Sequence, residues 1–370
     1  MSTSTSLPSL IQHISSTPRS FAIVHSTPGW PNSPGTSTST STSTSTSTST
    51  SSTTGGGIHI AILDSSFNPP TVAHRAIASS AFPPPYHSPV AIPLPILSDG
   101  LNPQGTATSS SSSAPTSTPA TTTTTTTPYT SRLLLFSARN VEKQLKEGDT
   151  TPLQRLEMML LLSKQIESDH PDEGIAVGLI NEATFVGKAG IIRDWLEDNN
   201  NSCSTDKREQ MEASASADDK EKSAVDVELT FLIGTDTLVR VFDPRFYPQG
   251  EMDILLHKLF TPPATRPTSS SPSSEMGDQG GYGATLVSAR RGTNPSDRAL
   301  EEEVLNRDGV RKWVESGYVR VLGDGKEGWE GVSSTNVRKA VERGEEEEVI
   351  IQMVGKDIAE YIKKEGLYRS

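Results

Sequence analysis

IHIAILDSSFNPPTVAHRAIA, residues Ile58–Ala78, is the stretch from which the rest of the chain can be laid out. Ile58, Ile60, Ala61, Ile62 and Leu63 form a short apolar run, the pattern of a strand buried on both faces, as in a parallel sheet. Asp64-Ser65-Ser66 closes the run. Asn68-Pro69-Pro70 then excludes helix and strand, because proline lacks an amide hydrogen and restricts the residue before it. A helix is expected next, with Thr71 as its N-cap and His74 three positions on. Strand, tight turn and helix start bring unpaired backbone N–H groups and the positive end of a helix dipole together. The sequence therefore predicts an anion site here, faced by Thr71 and His74.

Composition limits what surrounds this unit. The chain has 370 residues, of which 33% are hydrophobic. The deficit is concentrated: Thr36–Thr54 is entirely Ser and Thr, and Thr106–Thr127 nearly so. Such tracts have no apolar side chains to offset the entropy of ordering, so disorder is expected there. Asn199–Lys222 and Pro262–Gly281 read the same way. The expected organisation is an N-terminal segment over 1–57 and one α/β domain over 58–370, with low-complexity insertions at about 99–128, 199–226 and 261–283.

The formal net charge of −12 argues against a nucleic-acid partner, which calls for a basic face. It leaves room for a phosphate ligand, which needs only local cations and backbone donors. Cys203 is the sole cysteine, so an intrachain disulfide and a cysteine-based zinc site are both excluded. No apolar run approaches a membrane span, and no membrane partner is expected. Arg19 is the only Lys or Arg before the first Ser/Thr tract, which makes a transit peptide the weaker alternative to the cytosol or nucleus.

In chain order, Leu7–Ile14 reads as a short helix and Phe21–Val24 as a short strand, either an edge element of the sheet or part of a tail. Arg132–Ala138 is the strand after Ile58–Asp64. Thr151-Pro152-Leu153-Gln154 is a helix start, with Thr151 as N-cap, Pro152 at N1 and Gln154 completing a capping box. Ile175–Ile180 is a strand, and Lys188–Glu197 a helix containing Trp195. Val227–Thr235 is a strand, with Asp236 in an N-capping position for the helix that follows. Ala284–Ala289 is a strand ending at Arg290, a charged helix runs from Asn294-Pro295 to about Glu315, and Tyr318–Leu322 is the last strand. Val332-Ser333-Ser334-Thr335-Asn336-Val337-Arg338 precedes helix residues Lys339–Arg343. Consecutive hydroxyls at a helix start, with a guanidinium one turn in, suit a polyphosphate.

Ser65–His74 resembles the G-x-F-x-P-x-T-x-x-H signature of the nucleotidyltransferase superfamily, with Ser65 where the family usually has Gly. Val332–Arg338 resembles its I-S-S-T-x-x-R signature. TPLQRLEMM resembles the S/T-x-x-x-R-x-x-M helix of the nicotinamide/nicotinate mononucleotide adenylyltransferase family, and a fungal-type member is expected. The resemblance implies a Rossmann-like nucleotidyltransferase fold: a parallel sheet with helices on both faces. The site is expected beyond the carboxyl ends of the strands, between Ile58–Asp64 and Val227–Thr235.

The implied reaction is attack of the 5′-phosphate of nicotinamide mononucleotide on the α-phosphorus of ATP, giving NAD and pyrophosphate. His74 and Thr71 would be catalytic. Ser65, Ser66, Phe67, Lys143, Gly234, Asp236, Ser333, Ser334, Thr335 and Arg338 would bind ATP or its phosphates. Arg155 and Trp195, or Phe185 in place of the latter, would meet the acceptor. Mg²⁺ would come bound to the substrate, with no protein ligand of its own. Two alternatives stand beside this reading. One is another acceptor, nicotinate mononucleotide or phosphopantetheine; the other is a nucleotide-binding regulatory protein with little transferase activity.

Overall fold

The computed structural model describes residues 6–31, 57–86, 129–138, 150–208, 226–263, 280–290, 295–322 and 331–369. Both Ser/Thr tracts and Lys143 lie outside these residues.

Among the described residues, seven strands form one sheet: β1 (Phe21–Ser26), β2 (Ile58–Asp64), β3 (Ser131–Ser137), β4 (Gly174–Ile180), β5 (Val227–Gly234), β6 (Thr285–Ala289) and β7 (Val319–Val321). Their order is β1-β4-β3-β2-β5-β6-β7. Strands β2 to β7 are mutually parallel, and β1 alone runs antiparallel, against β4. Counted from β2, the parallel part has the order 3-2-1-4-5-6 of a doubly wound dinucleotide-binding sheet. The chain reverses its direction of winding between β2 and β5, and a crevice opens there beyond the strand ends.

Alternation along the buried strands divides the core in two. Ala61 and Leu63 of β2, with Leu134 and Phe136 of β3, face one side. They pack against helices α1 (Leu7–Ser16), α2 (Val72–Ala78) and α3 (Pro152–Asp169) and against the C-terminal helices α9 (Ser334–Glu342), α10 (Glu347–Val354) and α11 (Lys356–Lys364). Ile58, Ile60 and Ile62, with Leu133 and Leu135, face the other side. There they meet α4 (Phe185–Arg208), α5 (Thr235–Val241), α6 (Met252–Phe260), α7 (Pro295–Leu305) and α8 (Asp308–Glu315). Helices thus cover both faces, as the continuous apolar strands require.

The N-terminal segment is an edge element. β1 pairs with β4, and Asn181 Nδ2 donates to the carbonyls of Ser15 and Thr17, each at 3.0 Å.

Four boundaries differ from the sequence reading. Helix α4 continues past Glu197 to Arg208, because no Gly or Pro stops it there. The charged helix breaks at Asn306-Arg307 into α7 and α8. The break has a geometric cause. In one continuous helix, Glu301, Val304 and Leu305 would lie about 180° around the axis from Val310, Trp313 and Val314 at 100° per residue, yet all six are buried on one face of the sheet. Gly234 is the N-cap of α5, so Asp236 sits inside the first turn. Helix α9 begins within its motif, with Ser333 as N-cap accepting from the Asn336 amide at 3.1 Å.

Candidate active site

The loop after β2 is held in a shape few side chains tolerate. Phe67 has φ +45° and is fully buried, its ring 5.2 Å from that of His74. A positive φ at an aromatic residue costs on the order of 1–3 kcal/mol, offset here by burial of the ring. Phe67 therefore packs beneath His74, and its side chain is not presented to the cleft. Asn68 Oδ1 accepts from Thr150 Oγ1 at 2.6 Å and from the Tyr368 hydroxyl at 2.8 Å. The chain's penultimate turn and the start of α3 are thereby tied to the same loop.

His74 is gripped at both ring nitrogens. The Thr71 backbone N–H donates to Nδ1 at 3.1 Å, and Thr71 Oγ1 lies 2.8 Å from the same nitrogen. Nδ1 is thus the acceptor, and the ring proton sits on Nε2. Nε2 is 3.0 Å from Ser65 Oγ. The imidazole is buried, 7% exposed, and both it and Ser65 line the open cleft.

The second motif is bound to the first. Ser334 Oγ donates to the Pro69 carbonyl at 2.8 Å, and Arg338 donates to the Asn68 carbonyl. Arg338 also donates to Thr335 Oγ1 at 3.2 Å. These contacts bring Ser333 and Ser334, at the start of α9, to the same cleft as His74.

A cleft of about 720 Å³ opens at the carboxyl ends of β2 and β5, within the range of small-molecule and cofactor sites. It brings together Ser65, Ser66, Thr71, His74, Arg155, Gly234, Asp236, Ser333 and Ser334. Asp236 is exposed there, and Arg155 is buried with its Nε donating to the Thr150 carbonyl at 3.2 Å. The structure does not bring Phe67, Trp195, Thr335 or Arg338 to the described lining. Trp195 packs instead against Phe21 at 5.4 Å and Trp30 at 5.8 Å, under the edge strand. Its place on the β1 side of α4 follows from the helix turning its apolar stripe to the sheet. Arg290 is engaged by Glu301, which also accepts from Ser288 Oγ at 2.6 Å.

Several lining residues carry no motif. Lys188 is 4% exposed and pairs with Asp64 at the cleft floor, and the Phe185 ring lies 5.2 Å from its ammonium group. The available signal is a lysine set among Val186, Ala189, Ile191 and Ile192 on a buried helix face. Arg240, Phe246 and Tyr247 line the α5 side. Phe246 is 58% exposed, a large aromatic left open at the cleft. Tyr247 donates to the Val241 carbonyl at 2.6 Å, and burial pushes its hydroxyl pKa up to about 12. Among the described residues, no three His, Cys, Asp or Glu side chains converge as a metal site, and no helix is long and apolar enough to cross a membrane.

No protein-family profile and no curated protein matches the chain. Solved structures that resemble it include two of the nicotinic acid mononucleotide adenylyltransferase of Plasmodium falciparum, one complexed with APC and one with NaAD. They are 13% and 11% identical to this chain, with TM-scores of 0.39 and 0.38, and each alignment covers 84% of this chain and 97% of theirs. The reading of the cleft rests on its own geometry.

Proposed function

We propose that this cleft transfers AMP from ATP to a pyridine mononucleotide, nicotinamide mononucleotide in the first place, giving NAD and pyrophosphate. The observation that carries the proposal is the tie between the two phosphate-type segments. Ser334 and Arg338 donate to the carbonyls of Pro69 and Asn68, fixing the start of α9 against the loop that carries His74. Both segments lie at the reversal point of the sheet, where dinucleotide sites form.

In this mechanism the acceptor phosphate is already an anion, so neither a general base nor a covalent intermediate is needed. Catalysis is positioning, plus stabilisation of charge shifting across the phosphates. His74 serves the α-phosphate side through the Ser65 hydroxyl, which lies 3.0 Å from its Nε2. The first-turn amides of α9 and the hydroxyls of Ser333 and Ser334 hold the leaving pyrophosphate. Arg338 acts from behind, by holding the loop. Gly234 lets the backbone approach the adenosine end, and Asp236 accepts from a ribose or adenine donor. Arg155 faces the acceptor, and Phe185, Phe246 and Tyr247 supply aromatic surface for its pyridine ring. Mg²⁺ enters as part of the MgATP substrate, carried by phosphate oxygens and water.

The test is an acceptor panel with MgATP and nicotinamide mononucleotide, nicotinate mononucleotide or phosphopantetheine. Dinucleotide formation fastest with nicotinamide mononucleotide is expected. Faster turnover of the nicotinate form would reassign the acceptor. Turnover of phosphopantetheine alone would reject a role in making NAD.

A further inference from the structure

We infer that the Ser65 hydroxyl is itself a phosphate-binding donor of this site, relaying the hold of His74 onto the nucleotide, rather than a nucleophile or an obstruction. The inference rests on the phosphate reading of the cleft and extends it to a specific atom. A serine hydroxyl 3.0 Å from a histidine nitrogen has the spacing of a nucleophile–base pair. The other side of the ring decides between the roles. Because the Thr71 N–H donates to Nδ1, the ring proton is on Nε2, and that nitrogen has no lone pair with which to take the serine proton. The bond therefore runs from Nε2–H to Ser65 Oγ.

An oxygen that accepts from the imidazole keeps its own hydrogen for another acceptor. Among the described residues, no other hydrogen bond is formed by that oxygen. Ser65 is only partly buried and lines the cleft beside Ser66, Thr71 and Ser334. Its backbone N–H donates to the Leu135 carbonyl at 3.4 Å, which fixes the residue between the strand ends. The chain Thr71 N–H to Nδ1, then Nε2–H to Oγ, leaves one O–H able to rotate toward the cleft that Ser65 lines. Hydrogen bonds in such a chain polarise one another, and a charged acceptor at its end strengthens the last one. Ser65 touches the phosphate and also positions His74.

The test uses the full chain with Ser65→Ala, Ser65→Gly and Ser65→Thr. The readouts are calorimetric binding of a non-hydrolysable ATP analogue with Mg²⁺, ¹⁵N NMR of the His74 ring, and intact mass after incubation with ATP. The parent ring is expected in the Nε2–H form, with no covalent adduct on the protein. Ser65→Ala and Ser65→Gly should each weaken binding about tenfold and speed exchange of the Nε2 hydrogen. Ser65→Thr, which keeps the hydroxyl, should bind within about threefold of the parent. Equal or tighter binding by Ser65→Ala and Ser65→Gly would overturn the inference, as would an Nδ1–H ring, an adduct on Ser65, or an equal loss in Ser65→Thr. None of these readouts needs an acceptor, so failure of adenylyl transfer would not be mistaken for failure of this inference.

Discussion

At the scale of single residues, the account turns on a histidine held rigid before any ligand arrives. The Thr71 amide fixes which nitrogen of His74 carries the proton, and the buried Phe67 ring supports it from below. A donor preorganised in this way stabilises charge without reorganising during the reaction. His74→Ala should lower kcat on the order of a hundredfold, the usual cost of removing one such donor. Steady-state kinetics beside circular dichroism checks it: a folded variant as active as the parent would remove His74 from the chemistry. Arg338, expected on the ligand, shows a contact that no local pattern predicts. Its guanidinium reaches the Asn68 carbonyl, between residues 270 positions apart.

At the scale of elements, local signals were read from the sequence where the physics is local. The capping box at α3 is present: Gln154 N–H donates to Thr151 Oγ1 at 3.2 Å, and Thr151 N–H donates to Gln154 Oε1 at 2.9 Å. Thr151→Ala should cost about 1 kcal/mol of stability, read as a lower midpoint in urea with an unchanged slope. A second prediction concerns the tie between α2 and α3. Arg75 grips Asp169 through two hydrogen bonds of 2.6 and 2.7 Å and holds its pKa below the ordinary aspartate value. A lowered carboxylate pKa stabilises the fold above the unfolded-state pKa, and that contribution fades as pH falls through the folded one. Asp169→Asn should therefore be less stable than the parent at neutral pH. The two should converge as pH falls through the lowered folded-state pKa and the parent carboxylate becomes protonated. Thermal melts from neutral to acid pH measure it, and a difference that does not shrink on acidification would contradict it. What could not be read depends on tertiary demands. The break between α7 and α8 answers to which side of the sheet must be covered, and Trp195 is drawn under β1 by Phe21 and Trp30. Lys188 and Asp64, 124 positions apart, meet only because β2 and the start of α4 end at the same cleft.

At the scale of the whole molecule, the alternation of strands and helices sufficed for a parallel sheet with both faces covered, and the sheet order places the cleft at its reversal point. The motif residues that line the cleft were legible because each sits at a strand end or helix start. Its aromatic side was not, because Phe246 ends and Tyr247 caps a short 3-10 turn at Pro244–Phe246 with no phosphate-type pattern. The edge strand gives a prediction at this scale. Removing residues 1–31 would uncover the β4 edge and the Trp195 face, with loss of Phe21, Ile23 and Trp30 from the apolar packing. At about 1.5–3 kcal/mol for each large apolar side chain, the loss should be on the order of 5 kcal/mol, with association through the open edge. Denaturant unfolding and light scattering test it, and a stable monomeric truncation would contradict it. The most direct test of the central claim follows the phosphorus of ATP itself. With the full chain, MgATP and nicotinamide mononucleotide, ³¹P NMR should show pyrophosphate and NAD rising together in equal amounts, without ADP or orthophosphate. ADP and orthophosphate accumulating with no dinucleotide would mean that the cleft hydrolyses ATP instead of transferring AMP.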